Sequence, residues 1–374
     1  MAGVLTFGHG VESAAPAAPT ISGTQTVEQT LTGSGGAGAW QWQYMEPSTD
    51  TWTDISGATS ATYQIDGLYG SRLLRVTRGG VASSATGAIN PNTVWTLDFE
   101  SGVNGDSVAG QVEDLQEEGF PTGYSRVSTA QAKFGTRSMF QHSSATDAAP
   151  GTRVYMYTGI TEAGLPVTTR QYWYSTWIYF PIVLEQNVGA GDWINLAQIQ
   201  SHRQSGDKRL DPIWMLSLTT GLTGVMRPSL VWWPSNVFGS SPPALAHAPR
   251  VTDNFANTGA GGPQLTFNSG VNMTAAVWHF IEWMCKPNSW VNSTTPNYDG
   301  EIRLFLDGAE LTNCRVQNCI TKYFTSGTLG VTPTGFMYIG KEAYGDLTGS
   351  GQVIDEYVDR MTLSWGRRPY YADQ

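Results

Sequence analysis

No stretch of this 374-residue chain repeats apolar residues at the 3.6-residue spacing of an amphipathic helix over a helix's length. That excludes a helical bundle and any architecture built on crossover helices. Charge is scarce too: 14% of residues are Asp, Glu, Lys or Arg, with 21 basic against 31 acidic side chains and a net charge of −10. So acidic a balance repels phosphate backbones and anionic headgroups, which excludes nucleic acid and membrane surfaces as partners. No apolar run approaches the ~20 residues of a membrane span. The N-terminus, Met1-Ala-Gly-Val-Leu-Thr-Phe-Gly, has neither the basic start nor the apolar core of a secretion signal, so no standard export route is expected.

Cysteine is down to three. Cys285 sits in an apolar stretch, where a buried thiol is the plain expectation. Cys314 and Cys319, in a polar stretch, suit either a small disulfide loop in oxidising surroundings or two free thiols. No Cys/His cluster lies near enough for a zinc site. Neither heptads nor a β-helix repeat forces a trimer, and a homo-oligomer stays open.

Glycine (43) and proline (19) are plentiful instead, and 14 tryptophans with 40% hydrophobic residues can fill a large core. The reading is all-β. Trp278-His-Phe-Ile-Glu-Trp-Met-Cys-Lys286 and Asp299-Gly-Glu-Ile-Arg-Leu-Phe-Leu-Asp-Gly308 read as neighbouring strands. The second turns Ile302, Leu304 and Leu306 inward and Glu301, Arg303 and Phe305 outward before an Asp-Gly turn. Further strands are expected at 138–142, 154–158, 172–180, 193–200, 213–218, 229–233, 336–340 and 354–365. The long polar segments 201–211 and 234–276 read as functional or partner-binding loops.

Residues 1–18 are small and end in Ala14-Ala-Pro-Ala-Ala18, as an extended tether would. Residues 19–90 hold short strands at even spacing around Trp40-Gln-Trp-Gln-Tyr44. Pro19-Thr-Ile-Ser-Gly23, Ile55-Ser-Gly-Ala-Thr59 and Leu73-Leu-Arg-Val-Thr77 resemble the bacterial immunoglobulin-like repeat. That resemblance makes Trp42 the core tryptophan and Tyr63 its packed tyrosine, with Trp40 and Glu28 departing from the usual tyrosine and glycine. Such modules occur in secreted bacterial proteins and in tailed-phage virion proteins, and the absent signal favours the second. After a linker at 87–93, residues 94–374 resemble the concanavalin A-like (laminin-G-like) jelly rolls of lectins, glucanases and polysaccharide lyases. The ligand class this implies is glycan, without choosing between binding and cleavage.

Period 2 puts Gln198, Gln200 and His202 on one face of the strand that opens at Trp193, with Arg203 beyond. Alginate-lyase-type jelly rolls carry Gln-Ile-His here, with the glutamine neutralising the substrate carboxylate and the histidine acting as base. In this chain Gln200 holds the histidine position, and glutamine cannot take a proton. A lyase reading would use Gln198 with His202 or Tyr338. The Glu-x-Asp-x-x-Glu run that places a glucanase's two carboxylates is absent.

Ring platforms for sugar C–H faces are Trp232, Trp233 and Trp290, and Arg303 and Lys341 would complete a basic groove around Gln198. Asp355 and Asp359 lie in a strand resembling the fold's last one, which implies a structural calcium ion shared with Asp98. The combined expectation is a phage virion surface protein, a head decoration or fibre or a tail-fibre component. Its jelly roll would adhere to polysaccharide, while its arm and immunoglobulin-like module dock on other virion proteins. A polysaccharide lyase and a capsid cement protein are the alternatives.

Overall fold

The computed structural model describes residues 16–46, 50–106, 115–119, 123–143, 151–157, 171–185, 193–201, 214–220, 225–232, 265–286, 288–292, 295–297, 299–319, 337–346 and 351–368. For 115–119, 151–157, 198–201 and 337–346, among others, that description is of the backbone. The chain divides into two compact units, Met1–Pro91 and Asn92–Gln374.

The first unit holds β1 (Thr20–Ser22), β2 (Thr30–Ser34), β3 (Trp40–Glu46), β4 (Thr51–Asp54), β5 (Thr62–Gln64), β6 (Leu73–Arg78) and β7 (Val81–Ala82). They form a three-stranded sheet, β1-β2-β5, and a four-stranded one, β4-β3-β6-β7. Alternation buries Leu31, Trp42, Leu74 and Val76. Trp42 lies against Tyr63 with centroids 5.7 Å apart, and its indole N–H donates to the Ser60 carbonyl at 2.9 Å.

The second unit opens with β8 (Thr93–Leu97), β9 (Leu115–Gly119), β10 (Tyr124–Ser128), β11 (Ser138–Ser143), β12 (Gly151–Tyr157), β13 (Tyr172–Tyr179), β14 (Trp193–Ser201), β15 (Trp214–Thr220) and β16 (Met226–Trp232). It continues through β17 (Leu265–Asn268), β18 (Trp278–Lys286), β19 (Trp290–Asn292), β20 (Thr295–Pro296), β21 (Gly300–Leu306), β22 (Ala309–Glu310), β23 (Val316–Cys319), β24 (Met337–Asp346) and β25 (Ile354–Ser364). Helix is confined, among the described residues, to single 3-10 turns such as Gly67–Tyr69 and Thr312–Cys314.

Two antiparallel sheets make the sandwich. One runs β17-β16-β15-β14-β24-β12-β9. The other runs β10-β11-β25-β13-β18-β21-β22, with β8 also on β25 and β23 on β21. The fold is therefore all-β, a jelly-roll β-sandwich. Between the sheets lie Leu196, Ala197, Trp214, Leu216 and Leu230 from the first, and Tyr174, Ile178, Ile281, Trp283, Ile302, Leu304 and Val358 from the second.

Part of the outer side of the nine-stranded sheet is buried as well. Trp173, Trp177, Phe280, Met284 and Phe305 alternate away from the core yet are closed off from solvent. Phe305, expected outward, does point away from the core, where it packs on Trp173 at 5.5 Å and under the Arg367 guanidinium at 4.2 Å. Arg367 in turn gives two hydrogen bonds to Glu282 Oε2, at 2.8 and 3.0 Å, and one to the Gly308 carbonyl at 2.7 Å.

Chain reversal between β21 and β22 uses Asp307 and Gly308, at φ 50° and 86°. A two-residue hairpin of this hand needs positive φ at both positions, which Asp-Gly supplies. The Asp307 carboxylate accepts from the Phe280 amide at 2.8 Å and bonds His279 at 2.7 Å, tying the turn to β18. The three cysteines are buried and none is in a disulfide. Cys314 donates to the Phe267 carbonyl at 3.1 Å, and burial pushes its thiol up to about 12.

Candidate functional site

The centre of the seven-stranded sheet is the β14–β24 pair. Gln198 stands opposite Gly340, and Gln200 opposite Tyr338. Ala197 is fully buried in the core, so the alternation of the strand puts positions 198 and 200 on the other face of the sheet.

A bulge makes the set larger than simple alternation would. The register slips between Asn195 and Ala197, and both Leu196 and Ala197 belong to the core. Two successive inward residues reset the parity, so Asn195 and Gln198 share the outer face although three apart. Ser217, opposite Asn195, lies on the same face, and its hydroxyl donates to Asn195 Oδ1 at 2.7 Å.

Outward from β24 the register continues regularly. Tyr157, Tyr155 and Arg153 of β12 stand opposite Tyr338, Gly340 and Glu342, and Gln116 of β9 opposite Tyr155. This face thus gathers amide, phenol and guanidinium positions around Gly340, which lies between Gln198 and Tyr155 and has no side chain to fill the space. Amides donate and accept with hydroxyls and carboxylates alike, and phenol rings offer both a stacking surface and a hydroxyl.

Other expected site residues go elsewhere. Trp232 is a core residue, 2% exposed and stacked on Trp214 at 6.1 Å, because its register partner is the inward-facing Trp214. It cannot serve as a sugar platform. Arg303 belongs to β21 in the opposing sheet, where its Nε donates to Glu301 Oε1 at 2.8 Å. Burial works to raise Glu301, but hydrogen bonds from Arg303 and Arg315 hold it below its ordinary value. Lys341 stands opposite Ala197 and Val154, on the core-facing parity of β24. The groove expected from Gln198, Arg303 and Lys341 is therefore not formed, since two layers and two parities separate its members. Trp290 lies in the separate β19–β20 ribbon, opposite Pro296. His202, Arg203 and Trp233 fall outside the described residues.

The three acids considered for calcium each have their own protein partners. Asp98 accepts from the Glu100 amide at 3.2 Å, and Asp355 bonds His142 at 2.7 Å. Asp359 Oδ2 accepts from the Lys133 and Phe134 amides at 2.9 and 3.0 Å, while its Oδ1 is buried without a partner. Burial outweighs those amides and pushes the Asp359 carboxyl up to about 6. Among the described residues no group of three or more His, Cys, Asp or Glu gathers where a metal ion could sit.

No family model matches the chain, and no curated protein matches it. Solved structures with a similar course include an endo-β-1,4-glucuronan lyase from the fungus Trichoderma reesei, at 13% identity and a TM-score of 0.43, covering 71% of this chain and 94% of that one. An alginate lyase from Chlorella virus matches at 13% identity and a TM-score of 0.43, over 73% of this chain and 99% of that one. A xylan-binding domain matches at 11% identity and a TM-score of 0.29, over 73% and 94%. At such distances the likenesses carry no argument about activity or ligand, which must come from this chain's own residues.

Proposed function

We propose that this protein binds polysaccharide on the outer face of its seven-stranded sheet, as a surface component of a tailed-phage particle. The observation that supports binding is the register of β14, β24 and β12, which sets Gln198, Gln200, Tyr338, Tyr155 and Arg153 around the bare position Gly340. A sheet face with amide and phenol residues at neighbouring positions suits hydroxyl-rich rings better than an apolar partner, which would want a dry, uncharged patch. The particle setting is supported by residue patterns alone, namely the tether at 1–18 and the immunoglobulin-like motif of 19–90, which would dock on other virion proteins.

The test is to incubate the protein with acidic and neutral bacterial polysaccharides and pass each mixture over a sizing column that reports polymer length and bound protein. Retained protein with intact polymer is expected, with Gln198→Ala weakening retention. Binding indifferent to Gln198→Ala would overturn the assignment of the face.

A lyase reading has one specific support: Tyr338 stands directly opposite Gln200 and two register pairs from Gln198, where a phenol could exchange protons with a bound substrate. Shortened polymer with ultraviolet-absorbing unsaturated ends, lost in Tyr338→Phe, would establish it in place of binding.

A further inference from the structure

The outer side of the nine-stranded sheet carries an aromatic line that no single strand reveals. Five residues stand in register across five neighbouring strands: Arg126 of β10 opposite Phe140 of β11, then Tyr357 of β25, Tyr179 of β13 and Trp278 of β18. Inter-strand steps of about 4.8 Å make the line roughly 19 Å long. Its rings succeed one another at 4.9 Å (Phe140 to Tyr357), 6.0 Å (Tyr357 to Tyr179) and 5.4 Å (Tyr179 to Trp278). All five residues are half-buried. A second, shorter line runs beside it, Tyr124 opposite His142 opposite Asp355. Tyr124 is 37% exposed and stacked on the His142 ring at 5.0 Å.

The face is not core, since Met139 and Val358, the strand neighbours of Phe140 and Tyr357, point the other way into the sandwich. Nor does it have the make-up of a protein interface. A stable one covers about 800 Å² per partner around a dry centre, whereas this strip is two side chains wide at most and edged by hydroxyls and the hydrogen-bonded His142 and Asp355.

The flanking charges are engaged within the chain. His142 bonds Asp355 at 2.7 Å. Arg126 lies 5.5 Å from the Tyr124 ring centre and donates to the Ser125 carbonyl at 2.7 Å. Burial first, then Asp355 and the Tyr179 and Tyr124 phenols, push Tyr357 above its ordinary value, so it stays a hydroxyl donor.

We infer that this strip is a second glycan-binding surface, which takes an extended, uncharged polysaccharide lying across the strands, its sugar rings packed along a row of tilted aromatic rings rather than on one flat platform, since Tyr357 and Tyr179 meet edge-on at 70°. The ring spacing is close to the length of one pyranose along an extended β-linked chain. Asp355 flanks the strip and would repel a uronate carboxylate, so neutral sugars fit it better. The inference shares only its ligand class with the seven-stranded face and involves none of that face's residues.

Native gels cast with increasing hydroxyethylcellulose or with alginate read the two surfaces separately, and unfolding midpoints report whether each variant folds. The wild type is expected to be retarded by hydroxyethylcellulose. Tyr124→Ala/Tyr357→Ala should weaken that retardation about tenfold, as loss of two stacking rings implies. Tyr124→Ala alone, at the most exposed ring, should weaken it measurably, in the wild-type and the Gln198→Ala background alike. The inference is overturned if hydroxyethylcellulose does not retard the wild type, or if Tyr124→Ala binds as tightly as wild type. It is equally overturned if the wild type self-associates in sedimentation and the double variant does not, which would make the strip a contact between copies. Alginate retardation that falls with Gln198→Ala while no variant alters hydroxyethylcellulose behaviour would leave the first face standing and this one refuted.

Discussion

Single side chains in this sandwich carry opposite liabilities. Asp359 is a carboxyl whose folded value, about 6, lies above its ordinary 3.8. The folded state therefore holds a proton that the unfolded chain has released. Its contribution is complete below pH ~4 and is lost as pH rises through 6, by up to about 3 kcal/mol. Asp359→Asn should flatten that part of the pH–stability curve, which urea midpoints between pH 4 and 7 will read. Arg367 is the reverse case, because its charge is matched. Replacing it by alanine strands Glu282 in the outer layer and should cost about 3–5 kcal/mol in urea unfolding. Pairing Arg367→Met with Glu282→Gln should recover most of that loss, since the penalty comes from an unmatched charge rather than from the absent bond.

At the level of elements, what could be read in advance was whatever alternation encodes locally. The inward set Ile302, Leu304 and Leu306 and the Asp-Gly turn after it are as expected. The turn is testable: Gly308→Val forces a β-branched residue to φ 86° and should destabilise by about 1–2 kcal/mol or more in urea. Strands expected at 172–180, 193–200 and 354–365 appear at Tyr172–Tyr179, Trp193–Ser201 and Ile354–Ser364. What could not be read is pairing. Gln198 and Arg303 both carry polar side chains on strands, and nothing in either segment says that they belong to different sheets. Trp232 looks like any exposed tryptophan until its register with Trp214 is known. The bulge at Leu196–Ala197, which puts Asn195 and Gln198 on one face, leaves no mark that alternation would catch. The line from Phe140 to Trp278 joins residues 138 positions apart in the chain and exists only once four strands are aligned.

For the molecule as a whole, two units with separate cores predict two unfolding events. Trp42→Ala empties the centre of the first unit and should cost it about 3–5 kcal/mol. Calorimetry is expected to show one transition moving down while the other holds still, and a single concerted shift would refute their independence. The order of synthesis adds a further constraint. β25 holds β8, β11 and β13 together, and β24 bridges β14 to β12, so each sheet of the sandwich is completed by a strand near the end of the sequence. Hundreds of residues must wait on the ribosome with apolar faces open until those two strands emerge. Folding of this unit is therefore an event that follows translation of residue 364, and a nascent chain stalled before it would be a natural client for chaperones.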